Sequence, residues 1–164
     1  MWPEAYLEQA RSDWATYELI EHNSAAGCHC LHYLQMTTEK LGKAVLLESR
    51  TSTLDKVKHS HGAFTAFLRL ASRNSALRAE LQMTANQLRD YVKETLPMAH
   101  AIEYLAPGLA GDGPNAEYPW ETPSRTVIAP VSHTFPITAD LRAPKGRKLL
   151  KLLKVILARF EYLF

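Results

Sequence analysis

Seven of the nine prolines in this 164-residue chain lie between residues 106 and 144: Pro107, Pro114, Pro119, Pro123, Pro130, Pro136 and Pro144. The residues before them hold only Pro3 and Pro97, and the residues after them hold none. Proline removes a backbone donor and clashes with the preceding helical turn. The chain is thereby divided into a long helix-permissive region, a helix-hostile arm and a short helix-permissive end.

Apolar residues recur at helical spacing through the first region. A first helix is expected over 3–20, with Pro3 in its first turn and Leu7, Ala10, Trp14 and Tyr17 on one face. His22-Asn23-Ser24 reads as a break. A second helix is expected over 25–49, on the stripe Leu31, Leu34, Thr38, Leu41 and Val45. The third is expected over 54–72, capped by Ser52 or Thr53, with Val57, His61, Phe64, Leu68 and Ala71 sharing a face. A fourth is expected over 76–105, with Ser75 as its cap and Pro97 ending or kinking it.

The arm at 106–144 is too proline-rich for helices, yet Trp120, Val127, Ile128, Phe135 and Ile137 are too apolar for a free linker. It is expected to pack across the bundle with short extended pieces. The last segment, 145–163, sets Leu149, Leu152, Leu153, Ile156, Leu157 and Phe160 among Lys148, Lys151, Lys154 and Arg159. That is an amphipathic helix with a wide apolar face, suited to covering the bundle or a dimer seam, with an anionic surface or nucleic acid as alternatives. The expected fold is all-α: an antiparallel four- to five-helix bundle with a Pro/Gly-rich arm and a C-terminal amphipathic helix, in one domain spanning 1–164.

Charge is uneven. The net charge is +2, but residues 140–164 carry +5, leaving −3 on the rest. No run reaches the roughly 18 apolar residues of a membrane span, and Met1-Trp2-Pro3-Glu4 lacks a signal-peptide layout. A cytoplasmic protein without membrane contact is expected. Cys28 and Cys30, two apart on a helix, point to different faces and make no disulfide framework.

Three clusters carry candidate chemistry. Cys28, His29, Cys30, His32, His59 and His61 are metal-ligand types. On continuous helices, however, CxC and HxH diverge, so a two-helix site such as His32 or Cys28 with His61 is the one metal alternative. The expectation is that Cys28 and Cys30 pack in the core and the histidines line helix ends or a pocket rim, with no metal and no cofactor. A cation near a histidine can bind a scissile phosphate and move a proton, which makes His59, His61 and Lys56, with Arg50, the catalytic candidates. Tyr118-Pro119-Trp120 is expected to pin the arm to the core, with base stacking as the alternative. No phosphate-cradling glycine loop, GxSxG or HExxH is found in the sequence.

Ala10-x-x-Asp13, then Gln35-x-x-x-Glu39-Lys40-x-x-Lys43-Ala44, then His61-Gly62-Ala63-Phe64, together resemble the HEPN family (higher eukaryotes and prokaryotes nucleotide-binding). Tyr118-Pro119 is similar to a late element of that family. The resemblance covers residues 5–72 and, more loosely, extends to 120. It implies a helical bundle, often a homodimer, that binds a nucleotide or RNA, cleaves RNA as a toxin, or partners a nucleotidyltransferase in a toxin–antitoxin or defence system. Its ribonuclease members carry Arg, four to six residues, then His. Here Arg50 to His59 is longer, Lys56 to His61 has the spacing but a lysine, and Gly62 stands where an Asp or Asn is usual. Lysine lacks arginine's bidentate fork. The expectation is therefore a binding module using Glu39, Lys40, Lys43 and His61. A His-based ribonuclease and a structural dimer are the alternatives.

Overall fold

The computed structural model describes residues 1–23 and 25–164. The elements in order are α1 (Trp2–His22), α2 (Gly27–Glu48), α3 (Leu54–Lys58), α4 (Ala63–Ala71), α5 (Ser75–Glu80), α6 (Ala85–Glu103) and α7 (Pro107–Ala110). There follow β1 (Trp120–Glu121), β2 (Val127–Ile128), a 3-10 turn (Pro130–Ser132), α8 (Pro136–Arg142) and α9 (Pro144–Leu163). The molecule is an all-α bundle with one two-stranded ribbon. Among the described residues, no helix is long and apolar enough to cross a membrane.

The expected core is present. α1 lies along α2, α2 packs on α4, and α6 packs on both α4 and α9. Leu34, Leu41, Phe64, Phe67, Leu68, Leu152, Leu153 and Ile156 are fully buried between them. α9 is thus a core element, its leucines turned inward and its lysines outward. Near its end Arg159 leaves helical geometry (φ −121°, ψ 17°). A helix that loses a rung exposes a carbonyl, and here the Leu157 carbonyl accepts from Arg11 Nε at 2.9 Å and Nη2 at 2.7 Å. Arg11 also grips Glu161, so the first helix clasps the last.

Several boundaries differ from expectation. α1 runs through His22 and α2 begins at Gly27; Ser24 of the anticipated break lies outside the described residues. The single helix expected over 54–72 is two, α3 and α4, parted by a turn at His59–Gly62. His61 is therefore not on the apolar face with Val57 and Phe64 but exposed. α4 starts without a side-chain cap at Gly62. The Glu103 carboxylate of α6 replaces it, accepting from the Thr65 amide at 2.8 Å, where the helix N-terminus favours an anion.

The helix expected over 76–105 is also two. Asn74, not Ser75, caps α5, and its amide donates to the Leu163 carbonyl of α9. Thr84 and Gln87 form a reciprocal capping box that starts α6. α6 continues past Pro97 to Glu103. Pro97 and Lys93 are both exposed, so the carbonyl left without a donor faces solvent.

The arm does contain helix, contrary to expectation. Pro136 and Pro144 occupy first-turn positions of α8 and α9, where a missing N–H costs nothing. The arm packs on the bundle through Trp120, Phe135 and Ile137, with Trp120 and Phe135 flanking His133. Tyr118, expected to help pin it, stands 60% exposed.

Candidate functional site

On α2, Gln35, Glu39 and Lys43 recur every four residues and share one face. Glu39 is their centre. Its Oε1 accepts from Lys43 Nζ at 2.7 Å, and its Oε2 accepts from Gln35 Nε2 at 2.9 Å. His61 Nδ1 approaches the same Oε2 at 3.5 Å. The Lys43 ammonium also reaches the Lys58 carbonyl at 3.4 Å and lies 5.9 Å from the centre of the Tyr6 ring. On its other side the His61 ring meets the α7 backbone: a methyl group on Gly108 would sit 2.9 Å from Nε2.

Burial sorts these groups. Lys43 and Glu39 are mostly enclosed, while the His61 side chain keeps 43% of its surface. Burial opposes ionisation of Glu39, but the Lys43 hydrogen bond and charge, the Gln35 amide and His61 outweigh it and hold the carboxyl below its ordinary value. A lowered native value adds stability that is complete above the unfolded value and lost as pH falls through the native one. Urea midpoints are therefore expected to decline from about pH 5 to about pH 3 less steeply in Glu39→Gln than in the wild type. Equal slopes would show that the fold does not lower the Glu39 carboxyl.

Of the residues expected to bind ligand, Glu39, Lys43 and His61 come together and Lys40 does not. Lys40 turns into the α1–α2 seam, where its Nζ lies 2.5 Å from Asp13 Oδ2; Gln9 donates to the other oxygen of that carboxylate. Asp13 is 5% exposed. An acidic residue beside the apolar stripe of Ala10, Trp14 and Tyr17 was the signal for that partnership. Of the catalytic candidates, Lys56 lies on α3 and His59 in the turn after it, both exposed, and His61 faces Glu39 at 3.5 Å.

The two-helix metal alternative is not assembled. His32 Nδ1 faces Glu117 of the arm at 3.5 Å, His61 faces Glu39, and Cys28 is buried. Among the described residues no group of three or more His, Cys, Asp or Glu side chains could hold a metal ion.

No family model, curated protein or solved structure matches this chain. The site's chemistry rests on its own geometry. The Trp2 ring, 52% exposed, lies 6.2 Å from Tyr6 and carries Lys58 Nζ 4.9 Å above it. Trp2, Tyr6, Lys58, Lys43, Glu39 and His61 form one contiguous corner, and Lys56 and His59 flank it in sequence.

Proposed function

We propose that the chain is a HEPN-like binding module that takes single-stranded RNA at this corner without cleaving it. One observation supports the reading: an exposed indole capped by a lysine continues into Lys43, Glu39 and the solvent-facing edge of His61. An aromatic face beside an exposed cation, here Lys58, stacks a base and meets its phosphate. The acid nearest His61 is Glu39, which is already committed to Lys43 and Gln35, so the cluster orients His61, and the sequence sets Lys56 where a phosphate-clamping arginine would stand.

The test is anisotropy of a labelled single-stranded RNA at two salt concentrations. Wild type should bind with a marked salt dependence. Trp2→Ala should weaken binding about tenfold, in line with a stacked base worth about 1–3 kcal/mol. Lys58→Ala should flatten the dependence of log K on log salt by about 0.7, the single-strand value per phosphate contact. RNA binding that neither variant changes would overturn the reading, as would no binding at low salt. RNA shortened in the wild type but intact with His61→Ala would instead establish the ribonuclease.

A further inference from the structure

A second feature lies away from this corner. The end of α1, the start of α2 and the α8–α9 elbow enclose a cavity of about 560 Å³. That volume is in the range that takes small organic ligands, about 300–1,000 Å³. Its apolar wall is built by Leu31, Leu141 and Leu150. Its polar groups are mostly donors. Arg142 and Arg147 stand exposed at its edge, and among the described residues neither forms an ion pair with a carboxylate. One nitrogen of Arg147 is used, on the Arg142 carbonyl at 2.8 Å, which ties the two arginines to one elbow.

Tyr17 also lines the cavity. It is 95% buried by accessible surface (5% exposed), and its hydroxyl has no hydrogen-bond partner among the described residues. Burial, then Glu21, Cys30 and Glu18, push the phenol well above its ordinary value against a smaller opposing effect of Arg142, so it is an O–H donor. The Cys30 thiol is raised too, by burial and then by Glu21, and is no competing anion. Thr138 adds a further hydroxyl, and Glu21 is the single carboxylate lining the cavity. At the α2 N-terminus, Ala26 supplies no side-chain cap.

We infer that this cavity is a binding site for a small organic oxyanion, a carboxylate or phosphate monoester on an apolar body. Arg142 and Arg147 take the charged head, Tyr17 donates to it, and the leucine wall holds the body. Two guanidiniums and one carboxylate leave a single positive charge for the ligand to neutralise. Paired guanidiniums match the planar geometry of an oxyanion.

The probes are benzoate, phenyl phosphate and inorganic phosphate, titrated calorimetrically into the wild-type protein. Benzoate or phenyl phosphate should bind, and whichever is tighter identifies the head group. Arg142→Gln with Arg147→Gln should weaken that binding at least about tenfold, the loss expected when charge-assisted hydrogen bonds go. Tyr17→Phe, which keeps the ring and its packing, should weaken it severalfold. Lys58→Ala should leave it unchanged, which separates this site from the RNA corner. Absence of heat with both organic probes would overturn the inference, as would unchanged affinity in the arginine double variant with the fold verified by circular dichroism. Inorganic phosphate binding as tightly as phenyl phosphate would overturn the role of the leucine wall.

Discussion

Gly146→Ala is expected to destabilise the protein although it places a better helix former inside α9. A methyl group there would lie 2.3 Å from the Cα and carbonyl oxygen of Leu141 and 2.4 Å from the Asp140 oxygen. All three are backbone atoms, so no side chain can swing aside. Alanine returns about 1 kcal/mol of helix propensity, while forcing two backbones apart costs about 3 kcal/mol or more. The net loss should be about 2 kcal/mol, read as a lower urea midpoint at unchanged slope. Gly42→Ala should behave alike, since its methyl would meet the Ala63 carbonyl carbon and oxygen at 2.6 Å. Gly62→Ala is the control: nothing lies within 4 Å of its added carbon, and its effect should stay within about 0.5 kcal/mol. A Gly146→Ala protein more stable than wild type would show that α8 does not seat on α9 in this way.

The second large effect is expected at the seam between α1 and α2. Asp13→Ala removes the carboxylate paired with Lys40, whose side chain is 17% exposed. Removing one partner of a buried ion pair costs about 3–5 kcal/mol, because the remaining charge lacks both water and partner. The lower end applies here, about 3 kcal/mol, since the lysine stem can carry its ammonium toward the surface. Asp13→Leu with Lys40→Met should recover most of that loss, because a packed apolar pair often equals a buried ionic one. Equilibrium denaturation of the two single variants and the double variant measures the coupling directly. An Asp13→Ala cost below about 1 kcal/mol would mark the pair as an ordinary surface contact.

Periodicity revealed the long helices because their apolar stripes are uninterrupted and their partners must be apolar too. The division at His59–Gly62 was hidden for a definite reason. Val57 and Phe64 are seven residues apart, about two turns, so the stripe stays in phase across the turn that interrupts it. α8 was hidden because proline density by itself reads as helix-hostile, whereas position decides: Pro136 starts a helix where a proline in its interior would break one. In the site, the Glu39–Lys43 relation was legible since it lies within one helix. The Lys40–Asp13 bond spans 27 positions and depends on how two helices are rotated about each other. The cavity is less legible still, since its polar groups come from α1, α2, α8 and α9.

The Arg11 clasp on the Leu157 carbonyl has a consequence for how the chain is made. The two partners are 146 positions apart, and the leucines that close the core reside on α9, which begins at Pro144. A growing polypeptide leaving the ribosome can form the α1–α2 hairpin early and lay α4 and α6 against it, but the apolar face of α6 that α9 covers stays open until α9 emerges. Through that interval the nascent protein is a natural client for chaperones that shield apolar surface. A premature stop codon anywhere before α9 yields a product that cannot bury its own interior, and such a product is marked for proteolysis instead of accumulating as a shortened, working form.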